Sequence, residues 1–326
     1  MPEGHSVHRI ARQFDRHFVG ERVAASSPQG RFADGAALID GRTMTDSKAV
    51  GKQLFLEFDE ALYLRVHLGI YGAWDFAGDV GRDATTRASR GRMGQTGMRG
   101  ADTRVVGEHE DSLASIGAPR RTRLRMAEQE TETPGLEGFP PEPVGQVRAR
   151  LLTDSAVADL RGPTACEVLD AEAVQRVIDG LGPDPLVDDP DEGERRMVER
   201  VRSRRTPIGL LLMDQSVVSG IGNVYRAEIL FRARLDPHIR GSELSEEVVR
   251  DLWRDWRYLL GVGVDTGQML TMDGLDEEAR KLALRNRADR HWVYKREGLP
   301  CRICGTHIVL EMAAARKLYY CPTCQR

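Results

Sequence analysis

The sequence predicts a two-domain α+β chain. A mainly β first half is led by one helix, and a helical second half is closed by a cysteine-bearing hairpin. Three observations carry this. Apolar residues fall at helical spacing near the start and at strand-like alternation soon after; near residue 180 an acidic, turn-rich tract marks a change to helical patterning; and two close cysteine pairs stand at the end. The length of 326 residues suits two domains of about 100–200 residues each.

Taken in order, Val7, Ile10, Ala11, Phe14 and Phe18 lie on one helical face, with Arg9, Arg12, Asp15 and Arg16 on the other. This predicts a helix over 5–19 that stops at Gly20. From Lys52 to Phe58, Leu54, Leu56 and Phe58 alternate with Gln53, Phe55 and Glu57. After a turn at Asp59-Glu60, Leu62, Leu64 and Val66 alternate with Tyr63, Arg65 and His67, which predicts a hairpin. A second pair is predicted at Val147–Leu152 and Ala156–Leu160, turning at Thr153-Asp154-Ser155. Residues 77–118 are rich in Gly, Arg, Asp, Thr and Ser and hold no period, which predicts a mobile insertion or long surface loop. Glu137 to Val144 is proline-rich and extended. The tract GLGPDPLVDDPDEGE predicts a linker, and helical patterning follows to about residue 284. The expected domains are 2–178, a linker at 179–192, a helical domain at 193–290 and a terminal metal-binding module at 291–326.

Apolar runs such as Ile208 to Met213, with Gly209 counted as neutral, are far short of the ~20 residues that span a bilayer. No basic patch followed by an apolar stretch opens the chain, so a cytosolic protein is expected. The net charge of −3 argues against a nucleic-acid partner only until its distribution is read. From Lys281 to Arg326 ten basic residues face three acidic ones, and Arg195 to Arg205 carries six arginines against one glutamate. Cys166 stands apart from the paired cysteines and reads as a small buried hydrophobe.

In CRICGTHIVLEMAAARKLYYCPTCQR, Cys301 and Cys304 are separated by two residues, as are Cys321 and Cys324. That is the spacing of a four-cysteine zinc site. Four thiolates close the shell around one structural Zn2+ and leave no position for a catalytic water. The intervening residues are expected to form two short strands whose tip carries Arg316 and Lys317, a basic hairpin suited to a phosphate backbone. In RTPIGLLLMDQSVVSGIGNVYRAEILFRARLDP, Thr206 can cap a helix with Pro207 in its first position, ending near Gln215. Gly220-Ile221-Gly222 then makes a turn, and Asn223 can cap a helix from Val224 to Arg232. Such a glycine-fronted helix end can receive an anion, though a plain packing unit would look the same.

Taken together, MPEG, GKQLFLEF, the GPDPL turn at Gly182–Leu186, LLMDQSVVSGIGNVYRAEILF and the zinc hairpin resemble, in this order, the formamidopyrimidine-DNA glycosylase/endonuclease VIII family of base-excision repair enzymes. The resemblance runs from residue 2 to residue 325 and lapses in the insertion. It implies an N-terminal β-sandwich, a helix–two-turns–helix domain and a zinc finger, with DNA in the cleft between the domains. It also implies a bifunctional DNA glycosylase/AP lyase acting by β,δ-elimination. Pro2, exposed by removal of Met1, would be the amine nucleophile, Glu3 the general acid/base and Lys52 the catalytic lysine. Asn223 and Arg316 would bind phosphates, joined by Tyr294, and Ile70 and Tyr71 in HLGIYGAW would fill the void left by a flipped nucleotide. The expected partner is damaged DNA, duplex or with single-stranded or bubble character, bound by a monomer in the nucleoid.

Two departures stand out. Ser6 occupies a position where many members carry glutamate, and Gly69 one where endonuclease VIII relatives often place a longer polar side chain. MPEGH and YGAW resemble the endonuclease VIII branch, which favours oxidised pyrimidines as substrates. An oxidised-purine glycosylase and a non-catalytic DNA-binding relative are the alternatives; the presence of Pro2, Glu3 and Lys52 speaks against the second.

Overall fold

The computed structural model describes residues 2–80, 115–117 and 139–326, and divides the chain into two compact units, Met1–Ile178 and Asp179–Arg326. The first unit opens with helix α1, Gly4–His17, which ends two residues earlier than the pattern suggests. Its apolar stripe is fully buried, with Phe14 packed edge-on against Trp74 at 4.9 Å and Phe76 at 5.2 Å. The Phe18 N–H still bonds the Phe14 carbonyl, but Val19 already bridges Met44. Pairing with the sheet, rather than Gly20, therefore ends the helix.

Nine strands follow among the described residues: β1 Arg22–Ser26, β2 Arg42–Val50, β3 Gln53–Phe58, β4 Leu62–His67, β5 Ala73–Gly78, β6 Ser115–Gly117, β7 Val147–Leu152, β8 Ala156–Arg161 and β9 Ala165–Asp170. Their order is β6-β5-β8-β7-β1-β2-β3-β4-β9. Strand β1 is the corner: Arg22 and Val23 pair with β2, while Ala24 to Ser26 pair with β7. The ladder folds there, so that Leu54, Leu56, Phe58, Leu64 and Val66 of one half share a core with Trp74, Phe76, Ala149, Leu151, Ala158 and Leu160 of the other. This is the expected sandwich, and α1 contributes Val7, Ile10 and Phe14 to its filling. Helices α2, Ala33–Ile39, and α3, Ala171–Asp179, complete the unit.

Both predicted hairpins form, Phe58 pairing with Leu62 and Leu152 with Val157. The predicted insertion is not irregular at its ends. Ala77 and Gly78 belong to β5, and Ser115 to Gly117 pair with Asp75 to Ala73, because Ile116 finds a buried place opposite Trp74. Residues 81–114 and 118 of that expectation lie outside the described residues.

The second unit is built on helices α4 Pro190–Arg202, α5 Ile208–Leu211, α6 Asn223–Arg232, α7 Glu246–Thr266 and α8 Glu277–Arg285, followed by hairpin strands β10 Val309–Ala313 and β11 Arg316–Tyr320. Side-chain caps set several starts. Asp189 accepts from the N–H groups of Asp191 and Glu192, Ser245 from Val248 and Asp276 from Ala279. Helix α6 runs through the centre, buried from Asn223 to Phe231, with Tyr225 edge-on to Trp256 at 4.8 Å.

Two expectations fail here. The predicted linker is packed structure: α3 reaches Asp179, α4 begins at Pro190, and Leu181 to Pro185 are buried. Gly182 donates to the Gln215 carbonyl at 2.7 Å, and a Cβ on it would lie 2.4 Å from the Val217 carbonyl carbon, so the turn-forming residues serve close packing. The helix after Thr206 is also shorter than expected. Pro207 is its N-cap rather than its first residue, without a side-chain cap bond, and pairs with Arg240, while regular α-helix ends at Leu211. Among the described residues no helix is long and apolar enough to cross a membrane.

Candidate functional site

In the first unit, α1 runs antiparallel along β2. Val19 bridges Met44, and Ser47 Oγ donates to the Ala11 carbonyl at 3.1 Å. From Ala11 back to Glu3 the helix rises about 12 Å, and from Ser47 on to Gly51 the strand advances about 13 Å. These lengths carry the N-terminus of α1 towards the Gly51-Lys52 turn, where Gly51 takes a left-handed φ of +59° and Val50 pairs with Gln53. Pro2 and Glu3 are buried and Lys52 is half-buried. Glu3 is the N-cap residue of α1 through its backbone, the Ser6 N–H bonding its carbonyl at 2.9 Å. Pro2 directly precedes the N-cap, at the positive end of the helix.

Burial disfavours the charged form of two imidazoles nearby. Burial, helped by the Arg9 charge, lowers the His5 pKa to about 3. Burial, then the charges of Lys52 and Arg65, lowers that of His67. Ser6 is fully buried with its hydroxyl 3.2 Å from His5 Nε2, so this position faces the interior of the helix-end cluster.

Ile70 and Tyr71 stand at the turn between β4 and β5, 52% and 44% exposed. Neither side chain belongs to the sandwich core. The Gly69 departure has a steric cause. Its φ is +62°, and a Cβ would lie 1.8 Å from Thr164 Oγ1.

In the second unit, Asn223 does not cap α6. Gly222 is the N-cap, and Asn223 Nδ2 instead donates to the Lys317 carbonyl on β11 at 2.8 Å. Arg316, exposed, opens β11 beside the Ala314-Ala315 turn, whose residues have φ of +47° and +61°. Tyr294 is only 8% exposed, its ring 5.1 Å from that of Tyr319 on the hairpin. Its backbone is fixed by Glu228, a fully buried carboxylate that accepts from the N–H groups of Trp292, Val293 and Tyr294 at 2.7, 2.9 and 2.7 Å and from Thr271 Oγ1 at 2.6 Å. Burial raises the Glu228 pKa, against the pull of these hydrogen bonds.

Cys301, Cys304, Cys321 and Cys324 place all their sulfurs within 4.8 Å of one another, with Cys301 and Cys324 at 3.9 Å and Cys304 and Cys321 at 3.5 Å. Four sulfurs at about 2.3 Å from a tetrahedral zinc stand about 3.8 Å apart, so the donor set fits that ion.

Three family models match the chain: the formamidopyrimidine-DNA glycosylase N-terminal domain over residues 1–109, the formamidopyrimidine-DNA glycosylase H2TH domain over 181–273, and the zinc finger found in FPG and IleRS over 298–326. Endonuclease 8 1 of Mycobacterium tuberculosis is 35% identical over 325 residues, covering 100% of both chains. The chain belongs to the formamidopyrimidine-DNA glycosylase/endonuclease 8 family. The formamidopyrimidine-DNA glycosylase of Heliobacterium modesticaldum is 38% identical over 146 residues, 45% of this chain and 51% of that relative. Among solved structures, Lactococcus lactis Fpg (MutM) in complex with DNA containing an oxidised pyrimidine aligns with a TM-score of 0.68 at 18% identity, over 100% of both chains. MutM (Fpg) of Thermus thermophilus aligns with a TM-score of 0.65 at 23% identity, over 99% of this chain and 98% of that one.

As in this family of DNA glycosylases, the four cysteines hold one structural zinc. Sequence reasoning passed over Arg226 and Glu228. The available signal was two opposite charges inside NVYRAEILF, an otherwise apolar helix. Charged residues are almost never fully buried unless paired, and both of these are fully buried.

Proposed function

We propose that the chain is a bifunctional DNA glycosylase/AP lyase that removes oxidised bases, pyrimidines foremost, through a Schiff base on Pro2 followed by β,δ-elimination. Residues 2–178 act as the catalytic domain, 193–290 as the helix–two-turns–helix DNA-binding domain and 291–326 as the zinc finger, working on nucleoid DNA in the cytoplasm. The observation that carries this reading is the buried Pro2-Glu3 pair at the N-terminus of α1.

With Met1 removed, the Pro2 nitrogen is a secondary amine. An α-amino group has a pKa of about 7.7–8.0, and a helix N-terminus lowers it, so the neutral nucleophile is present near neutrality. The nitrogen attacks C1′ of the flipped nucleotide and the glycosidic bond breaks. The base leaves with the bonding pair and takes up a proton. Glu3 protonates O4′ as the ring opens, leaving an iminium between C1′ and Pro2. Unlike the imine of a primary amine, this iminium cannot discharge by losing a proton. It acidifies C2′; loss of that proton expels the 3′ phosphate, and a second elimination expels the 5′ phosphate. Lys52 holds a phosphate and assists base departure. Asn223 and Arg316 grip flanking phosphates, Tyr294 supports the hairpin beneath Arg316, and Ile70 and Tyr71 fill the stack behind the extruded nucleotide.

The preference for pyrimidines rests on the full-length similarity to a protein named Endonuclease 8 1 and on the cost of flipping. Saturated pyrimidines stack and pair poorly, so extruding them costs less than the few kcal/mol of an intact pair. 8-Oxoguanine keeps its stacking and its pairing with cytosine. In single-turnover assays, 5-hydroxyuracil, thymine glycol and abasic sites should be processed faster than 8-oxoguanine opposite cytosine. Equal or faster excision of 8-oxoguanine overturns the substrate assignment and leaves the Pro2 chemistry standing.

A further inference from the structure

Arg226 is fully buried one turn into α6, and its guanidinium reaches three elements of the second unit. Nη1 donates to the Gly209 carbonyl on α5 at 3.2 Å. Nη2 donates to the Lys317 carbonyl on β11 at 2.9 Å and to Asn223 Oδ1. Asn223 Nδ2 closes the ring by donating to the same Lys317 carbonyl. One peptide oxygen thus takes two donors, and both ends of the Asn223 amide are committed in orientation: Oδ1 towards Arg226 and Nδ2 towards the hairpin. An amide nitrogen carries two hydrogens, so the second Nδ2 hydrogen has its direction set by the first. The Lys317 carbonyl belongs to the residue after Arg316, so fixing it also fixes where β11 presents the Arg316 side chain.

We infer that Arg226 is a positioning residue for DNA binding: through the shared Lys317 carbonyl it locks Asn223 on α6 and Arg316 on the zinc hairpin at one fixed spacing, matched to two phosphates of a single backbone. This rests on the reading of Asn223 and Arg316 as phosphate ligands. A planar fork is needed, because it must meet two acceptors with one nitrogen and a third with the other. A lysine ammonium in the same place is a point donor on a flexible stem and cannot hold that geometry. Burial of the guanidinium is consistent with a spacer rather than a ligand, since Arg226 has no surface through which to touch DNA.

The test measures affinity for a duplex carrying a tetrahydrofuran abasic analogue across a series of KCl concentrations, on zinc-loaded full-length protein. Arg316 neutralises a phosphate, and each such charged contact contributes about 0.9 to the slope of log K against log salt. Arg316→Ala should therefore flatten the slope by about one, whereas Asn223→Ala, which removes a neutral donor, should weaken affinity at every salt concentration and leave the slope as it is. Arg226→Met should flatten the slope by about one and lower affinity as much as the Asn223→Ala/Arg316→Ala pair, and adding it to that pair should change neither further. Arg226→Lys should fall between. A merely structural arginine would lower the active fraction or the melting temperature and leave the slope and affinity of the remaining binder unchanged. If Arg226→Met does not retain zinc, Arg226→Lys carries the same comparison. A wild-type slope and affinity in the folded Arg226 variant, with both single ligand variants weakened, overturns the inference alone. Wild-type affinity in Asn223→Ala together with a wild-type slope in Arg316→Ala overturns the phosphate reading and the inference with it.

Discussion

Ser47 Oγ donates to the Ala11 carbonyl at 3.1 Å, tying the middle of α1 to the middle of β2. That contact sets the register of the helix against the strand that leads to the Gly51-Lys52 turn. If Pro2 is the nucleophile, borohydride should trap a covalent complex with DNA carrying an abasic site. Pro2→Gly, or a tag retained ahead of residue 2, should suppress trapping by orders of magnitude. Equal trapping by the blocked protein would point to a lysine instead.

Gly69 and Thr164 make the wedge turn sensitive to a single methyl group. Gly69→Ala imposes a left-handed φ, at roughly 1–2 kcal/mol, and drives a Cβ onto Thr164 Oγ1. Lower thermal stability and slower excision are expected. Thr164→Ala in the same chain should recover part of the loss, because Thr164 Cβ itself is 3.1 Å from the added carbon. Undiminished stability of Gly69→Ala would show that the turn shifts freely.

The zinc hairpin is a two-stranded sheet, which does not stand alone in water. Metal analysis should find one zinc per chain. Cys321→Ser should lose the metal and with it most DNA affinity, while the β-sandwich keeps its circular dichroism and melting transition. Full affinity in zinc-free protein would remove the hairpin from the binding surface.

His238 clamps the hairpin from the helical side. Its Nδ1 lies 2.6 Å from Asp236 Oδ1 and its Nε2 2.7 Å from Glu311 Oε1 on β10. Partial burial works to lower its pKa, but the hydrogen bonds to Glu311 and Asp236 outweigh it and raise the value above 6.5. A raised histidine stabilises fully below its unfolded pKa and loses that contribution as pH rises through the folded value. The clamp should therefore weaken above about pH 6.5. Since the pair is half-exposed, the effect should stay within about 1 kcal/mol. His238→Gln should flatten this pH dependence of hairpin hydrogen exchange; an unchanged profile would assign it to another group.

The zinc ligands were fully legible in the sequence, because the spacing of a CxxC knuckle is a local property. So were α1 and both long hairpins, where period and turn residues agree. Pro2, Glu3, Lys52, Asn223 and Arg316 stood out only through the order of whole motifs, since no single one of them is distinctive. Tertiary structure decided the rest. Gly182 to Pro185 read as a linker because prolines, glycine and acid mark turns, yet close packing against Val217 buries them. Asn223 read as a cap because its type suits one, yet an acceptor ninety-four residues away took its amide. Arg226 showed only as a charge inside an otherwise apolar helix, for two of its three acceptors, the Gly209 and Lys317 carbonyls, lie on segments that meet it only when the chain has folded. Local spacing determines what one segment can hold; which distant carbonyl a buried donor finds is fixed only by packing.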